Sequence, residues 1–322
     1  MNKAISEPSI VTFRGASLQS RALHATIRGT LKPFLRVWSR YPEARWPYGI
    51  VDHAGRLLSV RPGTTHRTVH LAHTTATLTT PANARADRLV VHLHGGAFLI
   101  GGRHLHRNLL ARLAADLAAP VLSVHYRQMP RHGMADSIAD CVDSYRYALG
   151  LGIAPEGIVL FGDSAGATLT FGTAVAVRDA GLPLPAALIA ISPLTDFDPA
   201  AKLAAAGSET CALFPREIVE PIAALIQKLN GGTLPTSPVD LDLTGLPPTL
   251  IQVGSTELLY PDAVAMANKL AAQRVPTELQ VWERQVHVFH AAGALPEARR
   301  ALREICAFAE RAMGAPASAK TA

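Results

Sequence analysis

The sequence predicts an α/β fold, built on a mainly parallel sheet of eight strands with helices on both faces. Short apolar runs that read as strands alternate with longer segments of helical periodicity along most of the chain. This alternation is typical of strand–helix–strand units, in which helices cover both faces of a parallel sheet. The chain has 322 residues, 48% of them hydrophobic, which is enough to bury the core of one large domain.

The elements can be assigned in chain order. Residues 18–40 show helical periodicity, and we expect Pro33 to kink or split that helix. Residues 66–80 partly alternate apolar with polar side chains, which indicates an antiparallel start to the sheet. Further strands are predicted at 88–94, 120–125, 157–161, 187–192, 248–253 and 277–282, and helices at 104–118, 135–150, 165–179, 216–229, 262–273 and 296–312.

The strongest local signal is an apolar run that ends in the pattern Gly-x-Ser-x-Gly and is followed by a helical pattern. A strand, a tight turn and a helix in this order form a nucleophile elbow, which lifts the serine hydroxyl clear of the sheet. The residues two before and two after the serine must be almost free of side-chain atoms, as Gly162 and Gly166 are. Ser164 is therefore the candidate nucleophile, and an ordinary glycine-rich turn is the alternative.

A glycine turn precedes this elbow. The apolar run that ends at His94 continues directly into Gly95, Gly96, Ala97 and Phe98. Glycines let the backbone approach a ligand closely and turn its amides toward it. Acyl transfer needs such amides, because negative charge builds on the carbonyl oxygen in the transition state. A glycine turn at a strand end is common, but the combination with a later nucleophile elbow is not.

A serine hydroxyl is a poor nucleophile near neutral pH, so it needs an adjacent base, and the base needs an orienting carboxylate. Glu257 follows the apolar strand at 249–254, and His287 follows the strand at 279–282. In an open α/β sheet the site lies at the carboxyl ends of the strands. The order serine, acid, histidine is also one of the known orders of such triads.

Other residues compete for both partner roles. Among the 13 histidines, the nearest alternatives to His287 are His290, His92 and His125. Asp262 is the alternative acid, but we expect it in the first turn of a helix, where a carboxylate stabilises the helix dipole in any case.

These motifs together resemble the hormone-sensitive-lipase-like branch of the α/β-hydrolases, the bacterial family IV carboxylesterases, over about residues 66–313. The matching segments are His94-Gly95-Gly96-Ala97-Phe98 with Gly101, Tyr126-Arg127-Gln128-Met129-Pro130, Gly162-Asp163-Ser164-Ala165-Gly166, Pro247-Pro248-Thr249-Leu250 leading to Glu257, and His287-Val288-Phe289. The resemblance implies the α/β-hydrolase fold with a helical cap, and the hydrolysis of small-molecule carboxylic esters of short to medium chain length. It implies no metal and no organic cofactor.

The resemblance also assigns roles to individual residues. The catalytic residues it implies are Ser164 as nucleophile, His287 as base and Glu257 as acid. The oxyanion hole it implies is made by the amides of Gly96, Ala97 and Ala165, with Gly95 shaping the same turn.

The chain departs from the family pattern in three places. The usual His-Gly-Gly-Gly ends in Ala97, whose methyl group leaves the backbone amide available. The usual acid is an aspartate in an Asp-Pro-Leu context, where this chain has Glu257-Leu258-Leu259. The Tyr-Arg-x-Ala-Pro segment has Met129 in place of alanine, and we expect no chemical consequence from that change.

The strand–helix rhythm breaks after Ser192-Pro193, which indicates an insertion. By resemblance, residues 1–65 form an N-terminal helical cap segment and residues 196–240 a cap insertion. The core would comprise 66–195 and 241–313, and the small and polar residues 314–322 would be a disordered tail.

The substrate pocket and the leaving group are less determined by the sequence. The candidates to line a substrate pocket are Phe98, Leu99, Leu213, Phe214 and Ile218, whose alternative role is to pack the cap onto the core. Amide deacetylation or lactone opening would use the same residues, because fold and triad do not choose the leaving group. Two further alternatives are a ligand-binding protein without activity and a lipase that acts at a lipid surface.

The net charge of +6 does not indicate a nucleic-acid partner, because no run of five or six basic residues occurs. Five basic residues fall near helical spacing, which a solvated helix face explains better than a membrane-binding face: Arg21, Arg28, Lys32, Arg36 and Arg40. No apolar run approaches the roughly 20 residues of a membrane helix, so no stable membrane insertion is expected.

The N-terminal 20 residues lack the apolar region of a signal peptide, so export is not expected. The three cysteines, Cys141, Cys211 and Cys306, form no Cys-x-x-Cys pair, which favours reduced thiols in a cytoplasmic protein and argues against a structural metal. Members of the family often form dimers, so a homodimer is an expectation from the resemblance alone.

Overall fold

A computed structural model describes residues 7–57 and 62–314. Its strands are β1 (Ser9–Phe13), β2 (Thr64–His70), β3 (Thr75–Pro81), β4 (Leu89–Leu93), β5 (Val121–His125), β6 (Ile158–Asp163), β7 (Ala187–Ile191), β8 (Thr249–Gly254) and β9 (Thr277–Trp282). They form one sheet in the order β1-β9-β8-β7-β6-β4-β5-β3-β2. Strand β3 is antiparallel to both of its neighbours, and the other pairs are parallel. The α/β fold class is confirmed.

The sheet has nine strands, one more than the sequence predicts, and the additional strand is β1. It pairs in parallel with β9 at one edge of the sheet. Four of its five residues are exposed, so it carries no alternation of apolar and polar residues that sequence reading can detect. Its last residue, Phe13, packs inward and stacks on Trp282 with the ring centroids 3.9 Å apart.

The α-helices of the described residues are α1 (Leu18–Arg40), α2 (Tyr48–Ala54), α3 (Arg107–Leu117), α4 (Met134–Gly150), α5 (Ala165–Asp179), α6 (Ala200–Ala204), α7 (Gly207–Thr210), α8 (Val219–Leu229), α9 (Tyr260–Ala272) and α10 (Pro296–Met313). Helix α1 continues through Pro33 and is not split there. The short helices α6 and α7 were not expected, because four or five residues are too few to show helical periodicity.

Helices cover both faces of the sheet because successive side chains of a buried strand point to opposite faces. Val90 and Val159 pack on one face, in the cluster that includes the apolar side chains of α3 and α10. Val91 and Leu160 pack on the other face, with side chains of α4, α5 and α9. The two clusters place the sheet at the centre of the core and leave its strand ends free to form a site.

Helix α1 is tied to the segment between β7 and β8. The side chain of Lys32 is buried, and its amine donates a 2.6 Å hydrogen bond to the carbonyl oxygen of Cys211. The expectation that Lys32 lies on a solvated face is therefore wrong, because its long stem carries the charge inward to a carbonyl acceptor. Arg21, Arg28 and Arg36 are exposed, as expected for that face.

Within the described ranges, no helix combines the length and the apolar character that crossing a membrane requires. Cys141, Cys211 and Cys306 are buried and free of disulfides. The tail expected at 314–322 lies outside the described residues from residue 315 onward.

Candidate active site

Ser164 lies at the sharp turn between β6 and α5. Its backbone adopts φ 53° and ψ −121°, a region that costs about 1–3 kcal/mol for a residue with a side chain. Two backbone hydrogen bonds hold this conformation: the Ser164 amide donates to Ile191 at 2.9 Å, and the Leu194 amide donates to Ser164 at 3.1 Å. The end of β7 and the loop that follows it thus hold the turn at Ser164 in place.

The two glycines of the elbow allow close backbone contacts. A Cβ atom on Gly162 would collide with the carbonyl oxygen of Gly166, and a Cβ atom on Gly166 would collide with the carbonyl oxygen of Leu93. Both positions therefore require glycine, because α5, β6 and the end of β4 are in close contact there.

The structure brings the three expected triad side chains together. Nε2 of His287 lies 3.0 Å from Oγ of Ser164, and Nδ1 of His287 lies 2.8 Å from Oε2 of Glu257. The side chains of His287 and Glu257 are 7% and 1% exposed, so little water competes for these hydrogen bonds. A hydroxyl, an imidazole and a carboxylate in this sequence can activate the hydroxyl as a nucleophile.

Two further groups hold the other oxygen of the Glu257 carboxylate. Oε1 accepts hydrogen bonds from Oγ of Ser192 at 2.8 Å and from the amide of Gly254 at 2.6 Å. Oγ of Ser192 also accepts a 3.0 Å hydrogen bond from the amide of Val288, beside His287. Ser192 was not predicted as a site residue from the sequence. It stands directly after β7, so the rule of strand ends that indicated Glu257 applies equally to Ser192.

The competing histidines all have other partners. Nε2 of His290 lies 2.7 Å from the side-chain oxygen of Gln252, and burial lowers the pKa of His290 to about 3. His125 contacts Thr75 and Thr77, and burial, aided by the charge of Arg103, lowers its pKa to about 4. His92 contacts Ser123 and Asp163.

The competing acid, Asp262, is paired with Lys202. Its Oδ1 lies 2.9 Å from the amine of Lys202, and its Oδ2 accepts hydrogen bonds from the amides of Thr195 and Asp196. Burial raises the pKa of Asp262, and the lysine and the two amides oppose that rise. The pair joins α6 to α9, so Asp262 has a structural partner and no contact with His287 among the described residues.

The turn after β4 lies directly against the elbow. A Cβ atom on Gly95 would collide with the carboxylate of Asp163 and would lie 3.1 Å from Cβ of Ser164. Gly96 and Ala97 adopt positive φ angles of 114° and 53°, which turn the backbone sharply. Among the described residues, neither of these two amides donates to a protein acceptor.

The amide of Ala165 is the third candidate donor beside Ser164. Ala165 is the first residue of α5, where a backbone N–H has no acceptor within the helix. Helix N-termini stabilise nearby negative charge. Gly96 and Ala97 line the larger cavity together with Ser164, and Ala165 follows Ser164 in the chain, so their amides are the candidate donors of an oxyanion hole.

Asp163, next to Ser164 in the chain, forms a buried cluster that was not predicted from the sequence. Its two carboxylate oxygens lie 3.2 Å from Nε2 of His92 and 3.0 Å from Nε2 of His106. Burial alone would raise the pKa of Asp163, but the charge of His106 and the hydrogen bonds from both histidines hold it well below the usual range. Burial lowers the pKa of His106, but the charge of Asp163 and its hydrogen bond to His106 outweigh burial and raise that pKa above its ordinary value.

These three side chains also have the composition of a metal site. The candidate ligand atoms of His92, His106 and Asp163 lie within 4.8 Å of one another. Two imidazoles and a carboxylate suit zinc and similar ions. The contacts of both histidines with the Asp163 carboxylate account for the cluster without an ion.

Two cavities meet at Ser164. The smaller, of about 80 Å³, extends under the segment between β7 and β8, and the larger, of about 800 Å³, opens between α1, α2 and the loop after β9. Leu99 and Leu213 line the larger cavity, and Phe214 and Ile218 line both.

Phe98 lines neither of these two cavities, so the expectation for this residue is corrected. Its side chain is fully buried, and its ring centroid lies 6.3 Å from that of Phe197. Its φ angle of 62°, next to the turn at Ala97, directs it into the core. Phe214 instead contacts the site directly, with its ring 4.9 Å from the ring of His287.

The chain is similar in sequence and in fold to known hydrolases and esterases. Residues 90–291 match a protein family described as having an alpha/beta hydrolase fold. The chain is 40% identical over 296 residues to Esterase LipU of Mycobacterium tuberculosis, covering 88% of this chain and 99% of that protein. It is 36% identical to Carboxylesterase/phospholipase LipF of the same organism, with coverages of 94% and 84%. A solved esterase from the bacterial hormone-sensitive lipase family superposes with a TM-score of 0.82 at 29% identity, covering 94% of this chain and all of that one.

Proposed function

Because this chain belongs to the hormone-sensitive-lipase-like branch of the α/β-hydrolases and is a carboxylic ester hydrolase, we propose that Ser164 is its nucleophile. The substrates are esters of short to medium chain length, and the reaction passes through an acyl-enzyme. The observation that carries this proposal is the pair of hydrogen bonds that links Ser164 through His287 to Glu257.

In the first step, Oγ of Ser164 attacks the ester carbonyl carbon while Nε2 of His287 takes the hydroxyl proton. Glu257 accepts the hydrogen bond from Nδ1, which holds the ring in the required tautomer and stabilises its charged form. The bond between the carbonyl carbon and the alcohol oxygen then breaks. The alcohol leaves with the proton from His287, and the acyl group remains on Ser164.

The negative charge on the carbonyl oxygen is held by the amides of Gly96, Ala97 and Ala165. Loss of one such donor typically lowers the rate by about 10²–10³-fold. The methyl group of Ala97 does not alter this role, because the donor is the backbone amide.

Water completes the cycle. It attacks the acyl carbon as His287 takes one of its protons, and the same histidine returns that proton to Oγ of Ser164 as the acid is released. Every proton in these steps moves between the substrate, water and side chains of the chain, so this mechanism calls for no metal and no organic cofactor.

The remaining assignments extend from this mechanism. Residues 1–65 and 196–240 act as the cap, and 66–195 with 241–313 act as the catalytic core. The contact between Lys32 and Cys211 supports this division, because it joins the two cap segments to each other. A homodimer and a cytoplasmic location follow from the family and from the composition, and both stay predictions.

The test is the hydrolysis of p-nitrophenyl esters from acetate to palmitate, with Ser164→Ala as the control. We expect activity on the shorter esters that disappears in the variant. A preference for palmitate would instead indicate a lipase. A folded protein without activity on any ester would contradict the proposal and favour an amide or lactone substrate, or a binding protein.

A further inference from the structure

We infer that the substrates join a short acyl group to a bulky apolar alcohol, an inference that rests on the proposed function. The observation behind it is the unequal size of the two cavities that meet at Ser164. The smaller has a volume of about 80 Å³ and the larger of about 800 Å³. Both border Ala97 beside the nucleophile, so one ester can place a different half in each.

The position of His287 decides which half lies in which cavity. The departing alcohol takes its proton from Nε2 of His287, so its oxygen must lie beside that ring. His287 and its neighbours Val286 and Val288 line the larger cavity and do not line the smaller one. The alcohol therefore occupies the larger cavity, and the acyl chain, on the far side of the carbonyl carbon, extends into the smaller.

The smaller cavity limits the length of the acyl chain. A protein cavity of about 150 Å³ holds one benzene molecule, so a cavity of 80 Å³ holds an acyl group of about two to four carbons. Its walls include Phe197, Val219, Ile226 and Leu258, each no more than 5% exposed. Because these side chains are already packed, a longer chain requires them to move.

The larger cavity suits an apolar group. Leu31, Phe34 and Ile50 form part of its outer wall and are 48%, 51% and 65% exposed, which leaves apolar surface for a ligand to cover. Apart from His287 and the phenol of Tyr48, the ionisable groups along its described lining are the paired His106 and Asp163. Among the described residues, no lysine, arginine or glutamate lines this cavity, and Asp163 is already paired with His106, so the lining favours an uncharged alcohol.

Two isomeric esters test the assignment. Octyl acetate and ethyl octanoate have the same atoms but exchange the long and short halves, and acid release measures the hydrolysis of both. We expect kcat/KM for octyl acetate to exceed that for ethyl octanoate at least tenfold, and equal or reversed values would overturn the inference.

A p-nitrophenyl acetate control separates the two claims. If the protein cleaves p-nitrophenyl acetate but neither isomer, the inference fails and the proposed function stands. If the folded protein does not cleave p-nitrophenyl acetate either, the proposed function itself fails.

Variants in the two cavities add an independent test. Phe197→Ala enlarges the acyl cavity and should raise the activity on ethyl octanoate relative to octyl acetate. Ile50→Ala is the matched truncation in the alcohol cavity. It should lower kcat/KM for octyl acetate and should not raise kcat/KM for ethyl octanoate. Where Phe197→Ala does not fold, the half-buried Ala223→Leu should reduce the ratio of p-nitrophenyl butyrate to acetate hydrolysis. An unchanged ratio in a folded Ala223→Leu protein would contradict the inference.

Discussion

The hydroxyl of Ser192 donates a 2.8 Å hydrogen bond to Oε1 of Glu257, while Oε2 of the same carboxylate lies 2.8 Å from Nδ1 of His287. The carboxylate is thus held at both oxygens, and the amide of Gly254 adds a third contact. A glutamate has one more rotatable bond than the aspartate that the family usually has here. The contact with Ser192 compensates for that freedom by fixing the carboxylate group.

Removal of the Ser192 hydroxyl should lower kcat about 10–100-fold, the equivalent of one hydrogen bond to a charged group. KM should change little, because Ser192 is not among the residues that line the cavities. Ser192 has a φ angle of 47°, so Ser192→Gly is the control for backbone strain. Equal losses of kcat in Ser192→Ala and Ser192→Gly would assign the effect to the missing hydroxyl. A higher kcat in Ser192→Gly than in Ser192→Ala would assign it to backbone strain.

Substitution of the two candidate acids, Glu257 and Asp262, should have different effects on kcat and on stability. Glu257→Gln should keep the fold and lower kcat by about 10⁴-fold, because a neutral amide does not maintain the tautomer and charge of His287. Asp262→Asn should instead lower the unfolding free energy by about 3–5 kcal/mol, because Lys202 loses its buried partner. Steady-state kinetics and thermal unfolding distinguish the two, and a catalytic loss confined to Asp262→Asn would reverse the assignment.

The turn after β4, which we propose forms part of the oxyanion hole, should tolerate a substitution at Ala97 but not at the neighbouring Gly96. A Cβ atom on Gly96 would collide with the carbonyl oxygen of Ile100, and the φ angle of 114° excludes other residues. Gly96→Ala should therefore displace the amides and lower kcat by about 10²-fold or more. Ala97→Gly keeps the amide, relieves a positive φ angle and should retain most of the activity. Similar kcat values for Gly96→Ala and the wild type would exclude the turn from the oxyanion hole.

The ion pair between Asp163 and His106 should make stability depend on pH. The pKa of His106 is raised above its ordinary 6.5, so its contribution is complete below pH 6.5 and is lost as the pH rises through the raised value. The pKa of Asp163 is lowered below its ordinary 3.8, so its contribution is complete above pH 3.8 and is lost only in stronger acid. Both contributions are therefore present together at mildly acidic pH.

The measurement is the melting temperature of the wild type and of His106→Gln. The difference should be largest near about pH 5.5 and should shrink toward about pH 9. His132→Gln is the matched control, because His132 forms an exposed pair with Asp136 at 3.6 Å and should contribute little at any pH. A difference for His106→Gln that grows with increasing pH would contradict a stabilising ion pair between His106 and Asp163.

Features with a local signature could be predicted from the sequence. The elbow at Ser164 is contiguous in the chain, and Glu257 and His287 follow strands whose carboxyl ends must meet at one edge of a parallel sheet. The fold class follows from the same alternation of strands and helices. Most central elements agree with their predicted limits to within a few residues because their buried faces are strongly apolar.

Features that depend on tertiary contacts could not be predicted. Strand β1 exposes most of its residues, so its position depends on the free edge of β9. The inward path of Lys32 depends on the carbonyl of Cys211, 179 residues away in the chain. The pairing of His106 with Asp163 has no spacing rule, because the histidine precedes α3 and the aspartate ends β6.

The most direct test of the central claim is covalent labelling by a fluorophosphonate, followed by mass spectrometry of the intact protein and of its peptides. We expect one label per chain, on the peptide that contains Ser164, with no label on Ser164→Ala and slower labelling of Glu257→Gln. The label reports the activated hydroxyl itself and does not depend on the choice of ester. A label on another residue, or a folded protein that takes up no label, would contradict the assignment of Ser164 as the nucleophile.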